Sequence, residues 1–344
     1  MVWAFVFAAV ALLFIYWLAR NGVFVLGPDD GSESNTEVTD TEVTSAEGPT
    51  DEVTIIAHRT PVNRVVISGI NEYKLPGIDL NWCVADSQVW WDTLLTLGIP
   101  FANMRALTDA RATRYEIEHR LIKAFDESAP GDHVIMVHSS HGSQILDRDG
   151  DERLLDNMDE LLLTHDHSWD DPWTDDCVYR LYSAFAEKGV RFTMLIDACH
   201  SHTMERGVAD NPGNPSMKIR FAAPPMDIQL RSTGVDMTRR PGLGVRKMGN
   251  LAATASLRES EWITCVAACR ADESALEKSF GLSGGGVFTR AMTTALLDDS
   301  NESLGELAGR AGAQIKQWGI NNQHPSISGS AGAHKHSLLG KWED

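Results

Sequence analysis

Two short runs carry the reactive residue types of this 344-residue chain. His138-Ser-Ser-His141-Gly142-Ser-Gln144 follows the apolar run His133-Val-Ile-Met-Val137, and Asp197-Ala-Cys199-His200-Ser201 follows Phe192-Thr-Met-Leu-Ile196. A thiol becomes a strong nucleophile as thiolate, and a nearby imidazole lowers its pKa and holds the proton. Cys199 and His141 therefore read as nucleophile and general base. Attack on a carbonyl creates an oxyanion that needs donors. Gly142 lacks a side chain, so its N–H can approach a substrate closely, and the Cys199 N–H is the expected second donor. Each residue alone is weak evidence, since a lone cysteine is more often a small buried hydrophobe. Both end an apolar run among small residues, and that joint placement favours chemistry. A second reading stays open: His138, His141, His200 and His202, with Cys199, have the residue types of a zinc hydrolase, although His138-x-x-His141 sits on a strand-end loop and not on a helix.

Those runs need a scaffold that brings residues 58 positions apart together. From Arg59 onward, short β-branched runs alternate with amphipathic stretches. Residues 65–67, 133–137, 192–196 and 262–268 read as buried strands; residues 86–97, 112–125, 178–186 and 286–297 read as helices. This alternation predicts an α/β fold with a mostly parallel sheet covered on both faces, and sites just beyond the strands' carboxyl ends. Thr113 or Asp109 is a candidate cap for the second helix, and Asp86 read alone is an N-cap for the first.

Composition sets outer limits. The chain is 43% hydrophobic and 23% charged with a net charge of −18, which excludes a wholly disordered or polytopic membrane protein and makes a nucleic-acid surface improbable. Residues 27–52 hold nine acids and no Lys or Arg, in low-complexity Thr-Glu-Val-Thr repeats, and read as an extended acidic tether. Residues 2–19 are an unbroken apolar run, the length of a membrane-spanning helix, with a cleaved signal peptide as the alternative. Arg20 on its far flank places the body on the cytoplasmic side by the positive-inside rule. Five scattered cysteines do not make a disulfide scaffold.

The two reactive runs resemble the motifs of caspase-like cysteine peptidases of the metacaspase type. The resemblance extends over residues 64–329 and includes Asn81-Trp-Cys-Val-Ala-Asp86, Pro130-Gly-Asp132, Arg220-Phe-Ala-Ala-Pro-Pro-Met-Asp227, Ala267-Ala-Cys-Arg270 and Gly286-Val-Phe-Thr289. It implies a caspase-like three-layer α/β/α sandwich, with His141 as base and acid and Cys199 as nucleophile. It also implies a first pocket made by Asp86, Ser139 and Asp197 that grips Arg or Lys, a choice that suits carboxylate partners for a desolvated guanidinium. Calcium activation through Asp159, Asp175 and Asp176 follows from the same resemblance, while the chemistry itself needs no cofactor. An EF-hand reading of residues 147–158 fails, with Glu152 and Met158 where Gly and Glu belong. Two departures stand out: Ser140 and His202 replace glycines of the pattern.

The expected organisation is a membrane anchor at 1–26, an acidic tether at 27–58 and a peptidase domain at 59–344. That domain divides into a larger part (59–205), a joining loop (206–250) that an arginine-directed enzyme could cut, and a smaller part (251–344). Expected partners are polypeptides with a basic residue before the cut bond, and the membrane; the chain reads as a monomer. The non-enzymatic alternative is an inactive relative that binds basic peptides as an adaptor.

Overall fold

The computed structural model describes residues 59–146, 158–199, 217–231, 260–281 and 283–339. In chain order the elements are β1 (Asn63–Gly69), α1 (Cys83–Thr96), β2 (Met104–Thr108), α2 (Arg114–Glu127), β3 (His133–Ser139), β4 (Gly142–Leu146), β5 (Met158–Leu162) and α3 (Asp175–Glu187). They continue as β6 (Arg191–Asp197), β7 (Met217–Ile219), α4 (Met226–Arg231), β8 (Ile263–Ala267), β9 (Leu276–Phe280), β10 (Ser283–Gly286), α5 (Val287–Asp298), α6 (Leu304–Gln317) and β11 (Ser326–Gly329). Six strands form the central sheet in the order β11-β8-β6-β3-β1-β2; every neighbouring pair is parallel except β11 on β8. Strands β7, β9 and β10 make a small antiparallel sheet, and β4 pairs with β5.

The apolar runs explain the layers. Successive strand residues face opposite ways, so a strand buried on both sides must be apolar throughout. Val65, Ile67, Ile135 and Val137 face a cluster with Trp90 and Leu94 of α1, Phe288 of α5 and Leu307 of α6. Val66, Val134, Met136 and Phe192 face the opposite cluster, with Ile117 and Leu121 of α2 and Phe185 of α3. Each such side chain contributes roughly 1.5–3 kcal/mol by leaving water. The result is an α/β/α sandwich with a mostly parallel six-stranded sheet.

Helix starts differ in how they are fixed. On α2, Thr113 caps locally: its hydroxyl accepts from the Glu116 N–H at 3.2 Å. On α1 the first N–H groups find remote acceptors. Cys83 N–H donates to Asn71 Oδ1 at 2.8 Å, and the Asn81 and Trp82 N–H groups donate to the Glu277 carboxylate at 2.9 and 3.2 Å. The helix therefore begins three residues before Asp86, which lies in its first turn and is not its cap.

Among the described residues no helix is long and apolar enough to cross a membrane. The anchor expected at 1–26 and the acidic tether lie outside the described residues, as do His200, His202 and the acidic run at 147–152. The stretch expected to be a joining loop contains β7 and α4, so its described part is folded structure.

Candidate active site

Sheet register assembles the site. Each residue of β3 pairs with the residue 58 positions on in β6, and the last pair is Ser139 with Asp197. His141 and Cys199 follow those partners by two residues each. A Cβ on Gly142 would lie 1.7 Å from the Cys199 carbonyl oxygen, so only glycine lets the two loops touch backbone to backbone.

The two candidate side chains are held by separate partners. His141 donates from Nε2 to the Ile78 carbonyl at 2.6 Å, and its backbone N–H donates to the Tyr73 hydroxyl at 2.8 Å. That fixes the tautomer and leaves Nδ1 as the acceptor; it is buried and has no hydrogen-bond partner. Burial lowers the imidazole pKa to about 4, so the ring is neutral, in its base form, at neutral pH. Cys199 is fully buried. Its Sγ accepts from the Ala275 N–H at 2.8 Å and faces the Ala275 carbonyl at 3.3 Å. No hydrogen bond joins Sγ to the His141 ring. The Cys199 sulfur and burial together push the neighbouring Cys269 thiol far up.

Both expected oxyanion donors converge on one atom. Gly142 N–H and Cys199 N–H donate to the Arg220 carbonyl oxygen at 2.9 and 3.2 Å. The side chain of that same residue reaches the expected pocket. Arg220 Nη2 donates to Asp86 Oδ2 at 2.5 Å, Nη1 donates to Ser139 Oγ at 2.8 Å, and Asp197 Oδ1 lies 3.0 Å from Nη1. Glu277 adds a third carboxylate at 3.6 Å. All four charged residues are at most 1% exposed. Ser139 Oγ also donates to Asp86, the Gly286 N–H donates to Asp86 Oδ1 at 2.8 Å, and Thr289 donates to Asp197 Oδ2 through both N–H and hydroxyl. Burial raises the Asp197 carboxyl, against the pull of Arg220 and Thr289; the acids hold the guanidinium firmly charged. Three carboxylates around one guanidinium leave a surplus of negative charge in a dry site, costly unless a cation fills it.

Several participants were not visible in the sequence. Glu277 and Ala275 enter from the small sheet, Tyr73 and Ile78 from the loop after β1, and Arg220 from the presumed joining loop. Only Arg220 left a signal: it begins a quoted motif in which a lone arginine precedes Phe-Ala-Ala-Pro-Pro. Ser140, a departure from the resembled pattern, is hydrogen-bonded within the His141 loop. Its hydroxyl meets His138 Nε2 at 2.7 Å and donates to the His141 carbonyl at 2.7 Å, while Ser68 Oγ meets His138 Nδ1 at 2.7 Å. Both ring nitrogens of His138 are thereby used by hydroxyls, which removes it from the zinc reading.

Among the described residues no three His, Cys, Asp or Glu are placed to hold a metal ion. Asp159 is buried on β5 and Asp175 is half-buried at the start of α3. The Asp176 side chain lies outside the described residues. The described carboxylates thus do not provide the oxygen cage that calcium requires.

Residues 63–206 match the family model for the metacaspase, peptidase C14 domain. Metacaspase-3 of Arabidopsis thaliana is 30% identical over 148 residues, which are 41% of this chain and 40% of that protein. Metacaspase-1 of Candida glabrata is 27% identical over 193 residues, 53% of this chain and 48% of that protein. The chain spans less than half the length of these curated relatives. A crystal structure of a Geobacter sulfurreducens protein shares the fold at a TM-score of 0.56 and 21% identity, covering 82% of this chain and 100% of that one.

Proposed function

We propose, on the premise that residues 63–206 carry a metacaspase domain distantly homologous to the metacaspases, that this chain is a cysteine endopeptidase cleaving after arginine or lysine. Cys199 Sγ attacks the substrate carbonyl carbon, and its proton passes to His141 Nδ1. The Gly142 and Cys199 N–H groups hold the resulting oxyanion. Collapse breaks the C–N bond, His141 returns the proton to the leaving amine, and water, deprotonated by the same imidazole, hydrolyses the thioester. The Ile78 carbonyl positions the ring and supports the positive charge it gains. For this sequence Sγ must rotate from Ala275 toward His141.

A single observation carries the reading: one arginine places its side chain among Asp86, Ser139 and Asp197 while its carbonyl oxygen takes both N–H donors. That is the posture required of a substrate residue at the cut bond. The planar fork of arginine meets these acids at two nitrogens, which favours it over lysine. Within the same proposal the apolar run at 2–19 tethers the enzyme to a membrane with its body on the cytoplasmic side.

The test is hydrolysis of fluorogenic peptides ending in Arg, Lys or Asp, with and without calcium, by the full chain and by Cys199→Ala. Turnover after Arg or Lys that disappears in Cys199→Ala is expected. Turnover surviving that change defeats the mechanism, and preference for Asp defeats the pocket. One observation favours a second reading: Sγ is engaged by Ala275 and not by His141. If that arrangement is permanent the chain is a peptide-binding adaptor, and basic peptides bind without being cut.

A further inference from the structure

Three buried side chains that the mechanism above leaves unused form a line behind the oxyanion donors. Ser68 of β1 and His138 of β3 are register partners in the sheet, and both, like Ser140, are fully buried. Ser68 Oγ lies 2.7 Å from His138 Nδ1, His138 Nε2 lies 2.7 Å from Ser140 Oγ, and Ser140 Oγ donates to the His141 carbonyl at 2.7 Å. Counting protons gives the line a direction. A hydroxyl has one hydrogen, and a neutral imidazole has one N–H. Ser140 gives its hydrogen to the His141 carbonyl, so its oxygen accepts from Nε2–H. Nδ1 is then bare and accepts from the Ser68 hydroxyl, which gives up its longer contact, the Val137 carbonyl at 3.2 Å. Protonating the ring would let Ser68 keep that carbonyl as well, at the cost of a charge in a dry site. Hydrogen bonds aligned in this way polarise one another.

The carbonyl at the end of the line belongs to the peptide group that carries the Gly142 N–H. A peptide group is planar and trans, so holding its oxygen aims its hydrogen the opposite way. The Leu163 N–H holds the same oxygen at 3.0 Å, and the Gly142 N–H points at the Arg220 carbonyl oxygen at 2.9 Å. The residue beyond this peptide is a glycine, whose backbone turns freely, so the plane must be held from the His141 side. We propose that Ser68, His138 and Ser140 are positioning residues, a directed relay that aims the Gly142 N–H at the oxyanion formed during attack. This rests on reading Gly142 and Cys199 as the oxyanion donors of a peptidase. Ser140 thereby gains a purpose: a glycine at this position, as in the resembled pattern, would leave the His138 Nε2–H without its acceptor. None of the three residues touches the substrate. Loss of the relay therefore weakens the transition state and leaves ground-state binding alone.

The test uses the full chain as wild type, Ser140→Ala, His138→Phe, their double variant and Ser68→Ala. Phenylalanine at 138 keeps the edge contact with the Trp173 ring, 6.0 Å away between centroids. Three measurements are made: kcat and KM on an arginyl fluorogenic peptide, inhibition by a peptide arginal, whose thiol adduct carries the oxyanion, and histidine ring nitrogen NMR. Expected in Ser140→Ala and in His138→Phe is a fall in kcat of about tenfold with KM unchanged, and a matching loss of arginal affinity. The double variant should also lose about tenfold and not a hundredfold, because both changes break one line. His138 should appear as the Nε2–H tautomer. Should the loop variants fail to fold, Ser68→Ala decides: it removes one oxygen from β1 and should lower kcat about threefold. Wild-type kcat in the variants, a loss confined to KM, a multiplicative double variant or an Nδ1–H tautomer overturns the relay and leaves the peptidase reading standing. A wild type that cuts no peptide overturns both.

Discussion

The two ends of β3 carry opposite charge arrangements. Just before the strand, the fully buried Asp132 carboxylate lies between two arginines: Arg59 donates to it at 2.6 and 2.7 Å, and Arg64 at 2.8 Å. Just after the strand, one buried arginine lies among three carboxylates. At the first end the charges balance, since Arg64 also lies 3.9 Å from Glu127, and the cluster reaches water, the Arg59 side chain being 46% exposed. At the second the surplus is negative and shut in. An ion cluster that only supports the fold can let its excess charge reach solvent; one that keeps an excess of acid dry carries a cost that a structural role does not require. The difference is what the proposed basic-residue pocket at the carboxyl end of the sheet rests on.

Four tests probe that contrast, from the largest effect down. Cys199→Ala should lower peptide hydrolysis by at least about 10³-fold, while Asp132→Asn, at the far end, should leave kcat near wild type; equal losses in a kinetic assay would erase the distinction. Arg220→Ala should lower unfolding free energy at pH 7 by about 3–5 kcal/mol, because three buried carboxylates lose their counterion. Urea titration at pH 5 should recover part of that loss as the acids take up protons. The third test is pH. Burial pushes the Asp132 carboxyl up, but Arg59, Arg64 and two backbone N–H groups overcome this and bring it to about 2. Its folded pKa is depressed, so its stabilisation is complete above the unfolded value of about 3.9 and is lost as pH falls through 2, a span of about 2.6 kcal/mol. Thermal melts of Asp132→Asn should lack that acid slope. His141, lowered to about 4 by burial, acts in a higher window: its contribution is complete above about 6.5 and is lost as pH falls toward 4. His141→Gln should reduce the slope there by one histidine's share, since His133 and His167 are also lowered by burial, and should leave the acid slope of Asp132 in place. The smallest effect belongs to Arg59→Ala, at most about 1 kcal/mol in a denaturant titration, since an exposed partner is readily replaced by water and by Arg64.

Much of the site's framework was legible because it depends on continuous apolar runs. The spacing of 58 between His141 and Cys199 in the sequence is the register offset of β3 and β6, so locating the two strands sufficed to bring the two loops together. Thr113 was readable as a cap because its bond is local. The start of α1 was not, because Asn71 and Glu277 supply its acceptors from 12 and 195 or more residues away. Strands β9 and β10 escaped notice for a different reason: Leu276-Glu-Lys-Ser-Phe280 and Ser283-Gly-Gly-Gly286 lack an apolar pattern and are held by their neighbours. Arg220 is the sharpest case. An arginine in a Pro-rich stretch reads as surface, and only the number of acids awaiting it inside reveals that it is buried.

The glycines of β10 limit how the cleft could be altered. A methyl group at Gly286 would sit 2.0 Å from Asp197 Oδ2 and one at Gly284 would meet the Trp82 ring at 2.1 Å, so the wall along this edge is bare main chain. Main chain offers no alphabet to vary. Any lineage or engineer seeking a different preference would have to rewrite positions 86, 139, 197 or 277, while the amide rail opposite them stays the same for every substrate.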